Sequence, residues 1–433
     1  MRALLIVTLI STVCADEFKK PVKGRVKALP SPKQEDLPKR LKATEGPLFA
    51  YQEDRKWGLI DKGGNRVYDP VFSSEPRFSQ GFGQLQFAGH ALAMTAAGKI
   101  VLPPKGATRI GGFSEGLAPV NIGFAIHMGD IIKSRGAWGY MDLAGKLAIP
   151  TKFEMTQGFR EGLAAAAVKV KNERRVRWGF IDKKGDWAIE PQFLSARTFS
   201  DGLAAVGVAL PGERFVKQGF INPEGKMVIK PQFMQVKMFA DGLVAVKKDQ
   251  KWGYIDTAGK TVVPFEYDDV GMIKDGIGLV WKWHKDKKGR ITDTSCGYVN
   301  ASGKLVTGMK FKSGYDFSDG MAAIQIGGKW GFVDTTGKMV VPTRYTSPGT
   351  FSEGLAAVRV GKKTGFINNS GEVVIKPQFE YAQPFTHGLA RVVIETKIKG
   401  ESVLYKKFGY VNKKGELVFT YTWRPIPMRL LEG

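Results

Sequence analysis

Two glycines return along this chain at a separation that hardly varies, and no other feature restricts its fold as tightly. The first sits in the pattern [W/x]-G-[FYL]-[IVM]-[DN] and falls at Gly58, Gly139, Gly179, Gly219, Gly253, Gly297, Gly331, Gly365 and Gly409, with Leu92 holding the place in a worn copy. The second, in F-x-x-G-[LMIF], falls at Gly81, Gly116, Gly162, Gly202, Gly242, Gly276, Gly320, Gly354 and Gly388, and Gly46 reads as a tenth. From each first glycine to the next second glycine the step is 23 residues (58 to 81, 139 to 162, 365 to 388), and 24 in the worn copy (92 to 116). The return step is 11 in the leanest units (242 to 253, 354 to 365) but 17 at 162 to 179 and 202 to 219, 21 at 276 to 297 and 388 to 409, and 23 at 116 to 139. Self-similarity at such a period marks a repeat architecture. The 433 residues are therefore read as ten small units over residues 46–421, not as two or three unrelated domains.

Each unit reads as three strands. In one copy, LAAVRV and GFIN alternate or run apolar over strand-like lengths, and VVIKPQF is a β-branched run closed by Pro377, which lacks the N–H a ladder needs. Between the second and third strands stands [DN]-x-x-G, as in Asp182 to Gly185 and Asn222 to Gly225, the chemistry of a type I turn with a bulge closing a hairpin. These acids form turns; a calcium loop needs alternating oxygens and a distal Glu that no copy supplies. The excesses over 11 in the variable arm are 6, 6, 10, 10 and 12 (17, 17, 21, 21 and 23 less 11). All are even, which predicts taller β-hairpins, since an even insertion keeps the turn type.

The residues that carry this pattern resemble the bacterial WG repeat family: the Trp-Gly pairs at Trp57, Trp138, Trp178, Trp252 and Trp330, the [FY]-[IV]-[DN]-x-x-G-K run and the F-x-[ED]-G-L-A-x-V run. The chain departs from it at Leu92, at Gln218, Cys296, Thr364 and Phe408 in place of Trp, and at His387 in place of the acid. The resemblance implies a tandem β-repeat fold, a binding or scaffold role, and no catalytic residues. The fold class expected is all-β, a tandem array of about ten three-stranded antiparallel meanders. An open twisted array is preferred over a β-propeller-like ring, because ten units exceed the usual four to eight blades and no offset strand offers an interlocked closure.

The ends are expected to lie outside the repeats. Residues 1–15 read as a cleaved signal peptide, with Arg2 before a short apolar run and Ala15 at the cut; a lipid anchor at Cys14 is the lesser alternative, Val13 fitting it poorly. Residues 16–45 read as a basic Lys/Pro-rich tether and 422–433 as a tail or cap. Without the leader only Cys296 remains, so the fold holds without an internal disulfide. The expected location is secreted, periplasmic or at the cell envelope, with no transmembrane segment in the mature chain.

A formal charge of +24 predicts attraction to anionic surfaces. Export argues against nucleic acid and leaves an anionic polymer, anionic lipid head groups or an acidic protein as partner. The cations gather in the variable arm: Lys169, Lys171, Arg174, Arg175 and Arg177; Lys282, Lys285, Lys287, Lys288 and Arg290; Lys397 and Lys399. Insertions that differ between repeats map to one face, often the binding face. These residues are therefore read as a cationic comb, with Trp281 and Trp283 as stacking surfaces. The alternatives are a passive structural or surface-display scaffold and carbohydrate binding on the Trp-Gly faces. No HExxH, nucleophile elbow or phosphate loop occurs, the four histidines sit in unrelated repeat positions, and the repeated acids stand in a ladder rather than converging in one cleft. The expectation is no enzyme, no metal and no cofactor.

Overall fold

The computed structural model describes residues 32–79, 81–128, 131–399 and 403–423. Residues 1–31 and 424–433, which hold the expected leader and most of the tail, lie outside it. Among the described residues the chain is all-β, with one short 3-10 turn at Gln34–Asp36, and folds into ten small antiparallel sheets in chain order. Each sheet is a blade. Blade 4 shows the plan: a lead strand of two residues (Met155–Thr156), then Ala164–Lys169, Val176–Ile181 and Trp187–Phe193 as first, second and third strands. Eight blades have all four strands; blade 1 has only the three longer ones (Phe49–Glu53, Lys56–Ile60, Arg66–Phe72), and blade 7 has an irregular stretch in place of its third strand.

The invariant arm is explained by one close backbone approach and one tight turn. Beyond Ile189, paired with Phe180, the third strand shifts register so that Phe193 pairs with Trp178. The strand thereby crosses the glycine between them: a Cβ on Gly179 would sit 2.4 Å from the Ile189 carbonyl oxygen, and Gly219, Gly253, Gly331 and Gly365 meet the same wall. The second glycine serves a two-residue turn between lead and first strands, where Glu161 and Gly162 both have positive φ (53° and 81°). The acid of this turn reaches forward. The N–H of Gly162 donates to Glu115, Gly202 to Glu161, Gly242 to Asp201, Gly276 to Asp241, Gly320 to Asp275, Gly354 to Asp319 and Gly388 to Glu353, at 2.9 to 3.4 Å. The F-x-[ED]-G acids are thus a belt of bonds from each blade to the next, over blades 3 to 10.

Neighbouring blades overlap by half. The lead and first strands of one blade lie on the second and third strands of the blade before it. The core accordingly sits at the junctions: Phe180, Ile189 and Phe193 of blade 4 pack with Ala196, Phe199, Ala204 and Val206 of blade 5. The same overlap joins the two ends of the array. Phe49, Tyr51 and Ile60 of blade 1 form one core cluster with Leu389, Tyr410 and Tyr421 of blade 10. The Tyr410 hydroxyl donates to the Ala50 carbonyl at 2.7 Å, the Phe49 and Tyr410 rings meet edge-on at 5.5 Å, and Arg391 pairs with Glu75 at 3.2 Å.

The array is therefore a closed ten-bladed propeller, and the ring alternative replaces the preferred open array. The absence of an offset strand is real: among the described residues, blades 1 and 10 share no sheet. It does not imply openness, because side-chain packing closes this junction as it closes the other nine. The end of the segment read as a tether is attached to the ring, with Leu37 against the core of blades 1 and 2, the Leu41 N–H donating to Val67, and Arg40 donating to the carbonyls of Thr44 and Ala97.

The insertions divide. The first and second strands of blades 3, 7 and 10 pair far beyond the lean register: Leu117–Met128 with Ile131–Asp142, Ile277–Lys285 with Ile291–Asn300, and Leu389–Lys399 with Val403–Asn412. These are tall hairpins, as the even count predicts. In blades 4 and 5 pairing stops at Lys169 with Val176 and at Val208 with Lys217, leaving wide loops over 170–175 and 209–216. Parity cannot separate these cases; composition does, since Asn172, Pro211 and Gly212 break the loops while β-branched alternation sustains the hairpins. Hydrogen exchange should find amides at 279–285 and 292–298 protected and those of Lys171, Asn172, Arg174 and Arg175 exchanging freely. Phe49→Ala should cost about 3 to 5 kcal/mol and Tyr410→Phe about 1 kcal/mol in equilibrium unfolding; in an open array Phe49 would be an end residue, and its loss would cost less than about 1 kcal/mol.

Candidate functional site

Strands alternate in direction, so every hairpin between first and second strands emerges on one face of the ring. The acid-glycine turns and the [DN]-x-x-G turns occupy the other. Blades 1, 2, 6, 8 and 9 carry two-residue turns on the hairpin face, between Glu53 and Lys56, Phe87 and His90, Lys248 and Lys251, Ile326 and Lys329, and Val360 and Lys363. The candidate cations stand above this low rim on blades 4, 7 and 10. Those blades are three apart and, across the seam, four, so the three basic elements share a face but do not form one contiguous comb.

Their charges are also unequally available. Lys169 pairs with Glu154 at 3.3 Å, Arg177 with Glu173 at 2.6 Å, Lys282 with Glu266 at 3.4 Å and Arg290 with Asp286 at 2.7 Å. Among the described residues no ion pair involves Lys171, Arg174 and Arg175 on the loop of blade 4, or Lys285, Lys287 and Lys288 on the hairpin of blade 7. Lys397 and Lys399 lie in the first strand of blade 10, but their side chains fall outside the described residues. The turn beneath the blade 7 tip is firmly made: Asp286 accepts the N–H groups of Lys288 and Arg290 and the Arg290 guanidinium, and these bonds hold its carboxyl below the usual range. Trp283 is exposed at 38%, whereas Trp281 is partly buried against the blade's core.

One set of residues went unread in the sequence. The residue between the third strand of one blade and the lead strand of the next is acidic before blades 4, 7 and 10, as Glu154, Asp268 and Glu380, and none of blades 5, 6, 8 and 9 has an acid there. Each braces a basic element. Asp268 accepts the Trp283 N–H at 2.8 Å and the Lys251 ammonium at 2.6 Å; Glu380 accepts the Thr396 N–H at 3.0 Å and its hydroxyl at 2.5 Å. Burial works to raise the Asp268 carboxyl, but the bonds from Lys251 and Trp283 outweigh it and hold it below the usual value. For Glu380 the Thr396 hydroxyl bond is the main lowering cause. The signal lay in the acid following Phe153, Tyr267 and Phe379, directly after the strand-ending aromatic.

The Trp-Gly faces offer less. Trp178, Trp252 and Trp330 are under one-tenth exposed, and Lys237 and Lys247 stand over the Trp252 ring at 5.5 and 6.0 Å. Equivalent open clefts lie beside this position at two junctions: about 730 Å3 against Arg197, Gln218 and Trp252, and about 400 Å3 against Arg77, Arg109 and Trp138. Cys296 is buried, and burial raises its thiol to about 12, removing it as a nucleophile at neutral pH. No group of three or more His, Cys, Asp or Glu among the described residues is placed to hold a metal ion, and no described helix is long and apolar enough to cross a membrane.

A closed ring of ten meander blades, constant on one face and variable on the other, is a repeat scaffold. The model of the family described as "WG containing repeat" matches residues 138–172, 178–208, 219–252, 252–280, 297–330, 330–363 and 365–397, more than half of the chain, and the chain belongs to that family. No curated protein matches it. Among solved structures it is similar to a eukaryotic initiation factor, at 14% identity over 88% of this chain and 96% of that one with a TM-score of 0.49. It is also similar to Hsv2p of Kluyveromyces lactis, at 9% identity over 64% and 98% with a TM-score of 0.31.

Because the native carboxyl of Asp268 is held below its unfolded value, its contribution is full above the unfolded pKa of about 3.9 and is lost as pH falls through the folded value. Asp268→Asn should therefore loosen the base of the blade 7 hairpin at neutral pH, raising exchange at the Trp283 amide. That difference from the native protein should shrink as pH falls through the folded value of the Asp268 carboxyl, which lies below the unfolded one.

Proposed function

We propose that this protein is an exported, non-enzymatic scaffold that holds an extended anionic partner across its hairpin face. The observation that carries the reading is the placement of cations outside ion pairs. Lys171, Arg174 and Arg175 on blade 4 and Lys287 and Lys288 on blade 7 stand on the one face where the repeats differ, on elements whose bases are braced by Glu154 and Asp268. A merely solvated charge would not require such bracing, whereas a binding element gains from being held in its bound conformation. The spread over blades 4, 7 and 10 favours a partner long or flat enough to span the ring, such as an acidic envelope polymer, over a compact acidic protein. The absence of chemistry is part of the proposal and is supported by the acids of the repeat, which are engaged in the belt between blades.

The test is binding to an acidic polysaccharide, to anionic vesicles, to an acidic protein and to nucleic acid across a salt series. The native chain is compared with a variant carrying Arg174→Glu, Arg175→Glu, Lys285→Glu, Lys287→Glu and Lys288→Glu. Preferred binding of the polymer, with a steep salt slope that flattens in the variant, is the expected result, because counterions released from a polyanion set that slope. Equal weak binding by both proteins would leave the passive scaffold as the reading.

A further inference from the structure

The belt of acids, present at seven of the ten junctions, is missing at the seam of blades 10 and 1, and there the gap leaves an unmatched cation. Two of the belt carboxylates hold a lysine as well as a glycine N–H: Glu115 pairs with Lys183 at 3.1 Å and Glu353 with Lys413 at 3.2 Å. Both lysines occupy the same place, directly after the turn-forming Asp182 or Asn412 of the following blade. Lys62, directly after Asp61 in blade 1, is the third lysine at that place. The residue that should answer it from blade 10 is His387. It makes the same turn, with φ of 53°, but brings no carboxylate. The matching glycine N–H, that of Gly46, turns to the Thr44 hydroxyl at 3.3 Å.

The gap is physical as well as electrostatic. A cleft of about 600 Å3 opens there, lined by Lys62, Glu353, His387, Asn412, Lys413 and Lys414. Glu353 does not neutralise it, because that carboxylate is already taken by the Gly388 N–H and Lys413. Lys62 and Lys414 have no ion pair among the described residues. Three ammonium groups thus face one carboxylate, around the spot that a carboxylate fills at seven other junctions.

We propose that the junction of blades 10 and 1 is an oxyanion site. A ligand bearing a carboxylate or phosphate group takes the place of the missing acidic side chain, between Lys62 and Lys414 and beside His387. The site lies on the turn face, opposite the hairpins, and is independent of the function proposed above. Occupancy also completes the belt at the seam, so the ligand stabilises the ring by binding the folded state alone.

Thermal unfolding of the full chain in phosphate and in citrate, at ionic strength fixed with chloride, tests this. The native protein should show a saturable rise in Tm with at least one of the two anions, and which one distinguishes a phosphate from a carboxylate ligand. Lys62→Gln should weaken the half-saturating concentration by about tenfold, the loss of one charge-assisted contact. His387→Glu places the side chain used by Glu115, Glu161 and Glu353 in the same turn geometry, so it should melt higher than the native protein in chloride and lose the anion response. A variant with Lys171→Gln and Lys287→Gln, on the hairpin face, should keep the response, which separates this site from general attraction to a cationic protein. A rise that never saturates, or one that Lys62→Gln and His387→Glu both retain, would overturn the proposal.

Discussion

Every blade is completed by the one after it. The apolar face made by the second and third strands of a blade is covered by the lead and first strands of its successor, and this half-overlap is the contact on which the rest of the structure depends. Because the core lies at the junctions, an isolated unit has nowhere to bury Phe180 or Phe193, which is why such repeats are stable only in series. An open series would still leave an uncovered half-blade at each end. Closure removes both ends, and the pairing of Phe49 and Tyr51 with Tyr410 and Tyr421 is the same overlap applied once more.

The overlap also explains why one arm of the unit is fixed and the other is free. The 23-residue arm contains the third strand that crosses the first glycine, the lead strand, and the acid-glycine turn whose carboxylate bonds the next blade. An inserted residue there would break a close approach, a register or a belt bond, and each depends on the others. The arm between first and second strands takes no part in the belt bonds or the glycine crossing, so its length carries no such constraint. Variation is confined to one face by packing, before any ligand is considered.

Much of this was legible in the sequence. Strand lengths, the Asp182 and Asn222 turns and the structural role of the repeated acids all follow from local chemistry that a single unit contains. What was not legible depends on relations between units. The two-residue lead strand has no periodic signal of its own and exists only because Leu194 and Arg197 donate to the next first strand at Gly207 and Ala205. Ring closure depends on the angle between blades, which no local pattern encodes. The basic stretches at Lys169, Lys282 and Lys397 were visible, but their separation round the ring becomes apparent only when the chain closes. The bracing acids Glu154, Asp268 and Glu380 were hidden because each acts on an element some fifteen residues further on.

That separation changes what the basic elements can do. Exposed ammonium groups bind an anion weakly when each acts alone, being strongly hydrated and screened by salt. Three elements fixed to a rigid ring act differently, since a partner held at one of them is presented to the others at high effective concentration, provided it is long enough to reach. A compact anion gains nothing from this arrangement, while an extended one gains at each further contact. On the proposed function, discrimination would be by length rather than by local structure, and would need no specific pocket. It would need a stiff ring and braced elements, and the half-overlap of blades and the acids Asp268 and Glu380 supply these.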